Sequence, residues 1–229
     1  LRQRIEMARE RGIYVALMFF QGFSLDKTGS KETGHNFNAG GNAFRGHPMH
    51  KDNNINGIDG DPNGSGSGNQ VHTLDVPEIT RLQEAYIRKT IDTLDGLDNV
   101  IWEISNESHA GSVQWQYHMI RYIHEYEKTK SMRRPVGMTG APIENPELYA
   151  SEAEWISPRC DETNPPAATG EKVLIWDTDH TGPFNEDPKR VWKGLCQGQS
   201  FIAMDYYMDC RIGSPSEPIE KFEPIRRQM

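Results

Sequence analysis

The sequence has few cysteines and no long apolar run, and each shortage excludes a class of protein. There are three cysteines, too few and too scattered for a disulfide framework, and no CxxC pair indicates a zinc site. No apolar stretch approaches the roughly 20 residues that cross a bilayer. We therefore expect neither a cysteine-built scaffold nor a membrane partner.

The sequence also has fewer basic than acidic residues, and it has no nucleotide-binding motif. Lys and Arg total 25 against 33 for Asp and Glu, a formal net charge of -8, and they form no stripe that could follow a phosphate backbone. Neither GxGxxG nor GxxxxGK[ST] follows an apolar run, so the strongest signals for a nucleotide-binding open sheet are missing. The sequence therefore disfavours nucleic acid as a partner.

What the chain does have is an alternation of short apolar and amphipathic segments. The apolar run over 13–20 lacks alternation, which is typical of a strand buried on both faces. The polar, Gly- and Asn-rich stretch over 21–75 is long enough to predict a functional loop, and Asp75 can cap the helix after it. The pattern predicts strands over 13–20, 100–104, 135–138, 154–157, 172–176 and 201–204, and helical segments over 1–11, 76–94, 113–128, 146–150 and 188–197.

Strands that alternate with helices predict a parallel sheet with right-handed crossovers. In the absence of nucleotide motifs we expect a (β/α)8 TIM barrel that forms a single domain over 1–229. Catalytic groups in such a barrel follow the carboxyl ends of the strands. A strand-end carboxylate can also serve only to cap the next helix. The strand-end rule selects Asn106, Glu107, Asp177, Asp179 and Asp205.

Two carboxylates that face each other across a cleft are what cleavage of a glycosidic bond requires. One protonates the leaving oxygen, and the other attacks the sugar or activates water. An apolar wall helps to keep the acid protonated, and Trp102 and Trp176 are close in sequence to the candidates. Asn106 offers an amide to a sugar hydroxyl. Aromatic residues that suit either the core or a sugar platform are Trp115, Trp155, Tyr206 and Tyr207.

Four segments resemble a known family. They are "HPMHKDNNINGI" (47–58), "NVIWEISNESH" (99–109), "QWQYHMIRYIHEYE" (114–127) and "VLIWDTDHTG" (173–182). They look like a group of bacterial glycoside hydrolases known mainly from genome sequence, within the clan A-like retaining (β/α)8 glycoside hydrolases. The resemblance covers nearly the whole chain. It implies that Glu107, at the end of barrel strand four, is the acid/base and that the carboxylate ending strand seven is the nucleophile.

The resemblance also sets a register along the barrel. Strands three to eight would be present, with the first two strands and the last helix missing, so we expect a truncated barrel. Asp177 stands where the clan has Glu, which retracts the carboxylate by about 1.5 Å and moves the pair towards the inverting range. Asp179, two residues on along the same strand face, is the rival second carboxylate.

The long loop and the strand ends supply the predicted substrate contacts. We expect sugar contacts from His47, His50, Asn53 and Asn54, and also from Asn106, His109, Trp176, His180, Asp205 and Tyr206. Two alternatives stay open. One is a metal-dependent TIM-barrel hydrolase that uses His47, His50, Asp177, Asp179 and His180. The other is a barrel that binds glycans without cleaving them.

One segment has the oxygen spacing of a calcium loop. Asp59, Asp61, Asn63 and Ser65 alternate, and Gly64 holds the sixth position, but Gln70 replaces the bidentate Glu at position twelve. A flexible loop held by Asx turns explains the same residues. We expect no cofactor, and calcium at this loop is an alternative that stays open. The predicted substrate is a plant or microbial polysaccharide or oligosaccharide, which favours an extracellular or periplasmic location.

Overall fold

The chain folds as a mixed α/β protein with parallel strand pairs. The structure is a computed structural model that describes residues 1–22, 25, 43–140, 142–159, 168–177 and 189–202. Strands and helices alternate within these ranges, which confirms the predicted α/β class. The chain divides into two compact units, Leu1–Glu154 and Trp155–Met229. The single catalytic domain stays a prediction.

The first unit carries three strands that pair in parallel. Gln21 of the first strand lies opposite Asn106 of the second, and Trp102 lies opposite Val136 of the third. Short 3₁₀ turns at Ala43–Gly46, Lys51–Asn53, Asn69–His72 and Ala110–Ser112 lie in the connections. The elements are α1 (Arg2–Arg9), β1 (Val15–Gln21), α2 (Pro77–Leu94), β2 (Val100–Asn106), α3 (Val113–Glu127), β3 (Val136–Thr139) and α4 (Asn145–Ala150).

The second unit repeats the parallel pairing on shorter strands. Its elements are β4 (Trp155–Ser157), β5 (Val173–Asp177), α5 (Lys189–Cys196) and β6 (Ser200–Ile202). Trp155 lies opposite Val173, and Asp177 lies opposite Ile202. The described residues thus contain six strands, against the eight of a complete barrel, and barrel closure stays a prediction.

Two local predictions are wrong. β1 does not bury both faces, because Leu17 and Phe19 are buried while Met18 is 40 % exposed. α2 is not capped by Asp75: Val76 holds the cap position, and Pro77 opens the helix where its missing N–H costs no hydrogen bond. No described helix is long and apolar enough to span a membrane.

A buried ion pair anchors β2 to the helix layer. The Arg134 guanidinium lies 3.0 Å from the Glu127 carboxylate, and both side chains are at most 2 % exposed. Trp102 Nε1 donates to the same carboxylate at 2.9 Å, and Arg134 donates to the carbonyl oxygens of Leu94 and Leu97 near the end of α2. Every charge is thus neutralised and hydrogen-bonded, which is the condition for stable burial. This network fixes Trp102 on the helix side of β2.

Candidate functional site

A tight turn follows the carboxyl end of β2 and contains the predicted acid. β2 ends at Asn106, so Glu107 lies where a parallel strand opens into its loop. Glu107 has φ of 50°, and among the described residues it is the one non-glycine residue with positive φ. It is half-buried and makes contacts. Strained backbone of this kind clusters at functional sites, which marks this turn as a candidate.

Gly22 packs directly against one side of this turn. Its amide donates to the carbonyl oxygen of Asn106 at 2.7 Å and extends the pairing of β1 with β2 by one residue. A Cβ at position 22 would lie 2.4 Å from the Cα of Ser108 and 2.6 Å from the carbonyl oxygen of Glu107. Both neighbours are backbone atoms that cannot rotate away. Only glycine therefore fits here without moving the turn.

Ser108 fixes the other side of the turn through its hydroxyl group. That hydroxyl lies 2.8 Å from Nδ1 of His72 and 2.5 Å from the hydroxyl of Ser105. All three residues are at most 2 % exposed, so these polar groups satisfy one another away from water. Sequence reasoning missed all three, because no local pattern signals contact between Ser108 and His72, which are 36 residues apart.

His72 is a buried, neutral imidazole held against an indole. Its ring stacks on Trp115, with centroids 4.2 Å apart and planes at 10°. Burial lowers the pKa of His72 well below its ordinary value, and the nearby His47 and His109 lower it further. His72 therefore stays neutral at neutral pH, with one ring nitrogen that donates and one that accepts.

Further hydrogen bonds fasten the end of the long loop beside this turn. His109 Nε2 donates to the carbonyl oxygen of Asn69 at 2.9 Å. This bond links the 3₁₀ turns Asn69–His72 and Ala110–Ser112. Gln83 of α2 donates to the carbonyl oxygen of Val71 at 2.8 Å and accepts from Nε1 of Trp115 at 2.9 Å. Hydrogen bonds thus join the loop after β1 to the loop after β2. One of them uses Nε2 of His109.

The histidines and asparagines predicted to touch sugar lie in the described part of the long loop. Nδ1 of His47 and Nδ1 of His50 accept the backbone amides of Met49 and Asp52, at 3.0 and 3.3 Å, and burial lowers the pKa of His47. The side-chain amides of the two asparagines donate to loop carbonyl oxygens: Asn53 to Arg45 and His47, and Asn54 to Pro48, His50 and Ile58. These contacts organise the loop, and sugar contact stays a prediction.

The predicted calcium loop is held by hydrogen bonds among its own residues. Asp59 and Asn63 each accept the backbone amide two residues on, and Asp61 accepts from Ser65 and from the amide of Gly66. Burial raises the pKa of Asp61, but the hydrogen bonds outweigh it and the pKa is lowered. Within the described ranges no group of three or more His, Cys, Asp or Glu side chains is arranged to hold a metal ion. The bonds of Asp59 and Asn63 are those of the Asx turns that explain this segment without a metal, and calcium stays an open alternative.

The tryptophans considered for an apolar wall or a sugar platform are buried. Trp102, Trp115, Trp155 and Trp176 are at most 2 % exposed, so none presents a ring face to a ligand in this conformation. Trp102 faces α3, and Trp115 supports His72.

For Asp177, the second predicted carboxylate, the structure describes the backbone only. Asp177 is the last residue of β5, as the strand pattern predicts, but its side chain is outside the described part of the chain. Other predicted residues also lie outside the described ranges, and their roles stay predictions: Asp179, His180, Asp205, Tyr206 and Tyr207.

Glu103 is a buried carboxylate that sequence reasoning did not select. It is 7 % exposed, and one of its oxygens accepts from the Thr139 hydroxyl at 2.7 Å across the β2 and β3 pair. Strand alternation puts Glu103 and Ser105 on the sheet face opposite Trp102. The sequence does contain a signal that could have identified Glu103, namely a carboxylate in the middle of an apolar strand.

Comparison with known proteins gives no relative. No protein-family model, curated protein or solved structure matches this chain.

Proposed function

We propose that the chain is a glycoside hydrolase with a (β/α)8 barrel architecture, in which Glu107 is the proton donor. The observation that carries the proposal is the backbone of Glu107, a carboxylate in the left-handed conformation directly after a parallel strand. Left-handed backbone costs a non-glycine residue roughly 1 to 2 kcal/mol and persists only where the surroundings impose it. A strand-end carboxylate held in this way suits a group whose position matters for chemistry.

The proposed reaction needs a second carboxylate and a hydroxyl partner. Glu107 protonates the oxygen of the leaving sugar, and Asp177 or Asp179 attacks the sugar carbon or activates a water molecule. Asn106, half-buried at the end of β2, holds a sugar hydroxyl. Sugars from a plant or microbial polysaccharide are the proposed substrates, as the family resemblance implies.

A charge-neutral substitution tests the role of Glu107. Glu107→Gln keeps the shape of the side chain and removes the proton, so we expect kcat on a phenyl glycoside, whose leaving group needs protonation, to fall about 100-fold or more with substrate binding retained. The matched control is Glu84→Gln in α2, another half-buried carboxylate, which accepts from His118 at 2.8 Å. It should keep wild-type turnover.

The same screen separates the alternatives. Unchanged turnover in Glu107→Gln would remove the proposed role. Oligosaccharide binding by the wild type without cleavage would favour a glycan-binding barrel, and a stoichiometric transition metal in the purified protein would favour a metal-dependent hydrolase. Loss of turnover in only one of Asp177→Asn and Asp179→Asn would identify the second carboxylate.

A further inference from the structure

The turn that carries Glu107 is held from two directions. Gly22 lies against the backbone of Glu107 and Ser108 on one side, closer than any residue with a Cβ could approach. The hydroxyl of Ser108 is fixed on the other side by His72 and Ser105. A residue with φ of 50° between two such contacts has little freedom to relax.

The support behind His72 reaches into the helix layer. The imidazole stacks on Trp115 of α3, and the indole nitrogen of Trp115 donates to Gln83 of α2. Gln83 in turn donates to the carbonyl oxygen of Val71, the residue before His72. The position of the imidazole is therefore set by two helices, and the imidazole sets the position of Ser108.

A serine hydroxyl beside an imidazole also resembles a nucleophile and its base. The burial of this pair argues against that function, because Ser108 and His72 are each 2 % exposed and the ring is covered by Trp115. A nucleophile needs access to its substrate. The pair is better suited to holding backbone in place.

We infer that Gly22 and His72 are positioning residues that hold the Glu107 carboxyl group where it can protonate a leaving oxygen. Neither needs to touch the substrate: Gly22 acts by close backbone contact, and His72 acts through Ser108. The inference rests on the proposed function, since it assigns these residues a role in placing the proposed acid. It predicts that their loss impairs proton donation more than substrate binding.

Leaving-group dependence measures proton donation directly. A phenyl leaving group needs protonation, whereas a 2,4-dinitrophenyl group departs without it, so a misplaced acid slows the first substrate far more than the second. A shift of about 1 Å at a reacting group can cost about 100-fold in rate. We therefore expect Gly22→Ala to lower kcat/KM on the phenyl glycoside about 100-fold and to lower kcat/KM on the dinitrophenyl glycoside less than about 10-fold.

Histidine variants provide a second route that does not depend on backbone crowding. His72→Leu removes the partner of Ser108, whereas His72→Asn can place a polar atom near the former Nδ1 position. We expect His72→Leu to show the same selective loss as Gly22→Ala, and His72→Asn to recover a large part of it. The control for Gly22→Ala is Gly12→Ala, which puts a side chain on a left-handed glycine (φ of 70°) before β1, where the added Cβ meets nothing within 4 Å.

The experiment uses phenyl and 2,4-dinitrophenyl glycosides of whichever common hexose or pentose the wild type cleaves, with urea unfolding to verify folding. Equal losses on both substrates, or losses that match Gly12→Ala, would overturn the positioning role while Glu107→Gln still fails selectively on the phenyl glycoside. A wild type that cleaves none of the glycosides, or an active Glu107→Gln, would overturn the proposed function and the positioning role with it.

Discussion

Glu107 combines a chemical group and a backbone conformation that rarely occur together. Its φ of 50° is a conformation that glycine adopts without penalty and that other residues adopt at a cost. Glycine at this position would avoid the backbone strain, but it would carry no carboxylate. The chain therefore has a less stable residue where the proposed reaction requires an acid, as expected at a strained functional site.

Two substitutions at position 107 measure this strain. Glu107→Gly should be more stable than Glu107→Ala by about 1 kcal/mol, because both remove the carboxylate and only glycine avoids the left-handed penalty. Urea unfolding gives the two free energies. At Glu84 in the middle of α2 the order should reverse, with alanine the more stable by about 1 kcal/mol. An alanine variant at 107 that matches the glycine variant would show that the turn is unstrained.

At the scale of elements, β2 is the best anchored strand of the first unit. It pairs with β1 and with β3, and Trp102 donates to the buried Glu127 of α3. Arg134, at the entry to β3, completes the pair and also satisfies two carbonyl oxygens near the end of α2. The element that ends at the proposed acid is thus fixed against both neighbouring helices.

This buried pair should show strong energetic coupling. Glu127→Leu leaves the Arg134 guanidinium buried without a counter-charge, which should cost about 3 to 5 kcal/mol of unfolding free energy. The double variant with Arg134→Met removes both charges, so it should cost clearly less than the sum of the two single variants. Urea unfolding of the four proteins completes the cycle. Additive costs would mean that the two side chains stabilise the fold independently.

At the scale of the whole molecule, stability should depend on pH through a contact between α3 and the segment before β4. His124 Nε2 lies 3.0 Å from Glu154, whose carboxylate also accepts the amide of Val136 at 2.8 Å. The hydrogen bond to Glu154 raises the pKa of His124 above its ordinary 6.5 despite partial burial. Burial raises the pKa of Glu154, but the bonds from His124 and Val136 outweigh it and hold the pKa below its ordinary 4.5.

The sign of the pH effect follows from these two shifts. The raised pKa of His124 gives stability that is fully present below about pH 6.5. This stability is lost as the pH rises through the pKa of His124 in the folded protein. The lowered pKa of Glu154 gives stability that is complete above about pH 4.5 and is lost as pH falls through its folded value. The contact therefore stabilises the fold most between these two limits.

His124→Gln isolates the histidine contribution. The difference in unfolding free energy between wild type and this variant should be largest near pH 5.5 and should shrink towards pH 8.5. The difference should stay below about 1 kcal/mol, because the pair is partly exposed and screened by water. Urea unfolding at both pH values measures it. A difference that stays constant or grows with pH would contradict the assigned pKa direction.

The alternation of apolar and amphipathic segments was enough to predict the α/β class and the approximate position of each strand in the described part of the chain. Strand period and helix period are local properties, so the sequence alone predicts Glu107 after β2 and Asp177 at the end of β5. The exposed face of β1 could not be predicted, because an apolar run does not reveal which neighbours cover it.

The support of the proposed acid was decided by tertiary structure alone. Gly22, His72 and Ser108 come from three separate segments, and each residue is unremarkable in its own segment. Their close packing depends on the register of β1 on β2 and on the loop that α2 and α3 hold in place. Sequence periodicity predicts where strands and helices form, whereas contact between distant residues is set by the folding of the chain as a whole. The sequence by itself therefore determined the strands and the carboxylates at their ends, and the tertiary structure decided what holds Glu107 in place.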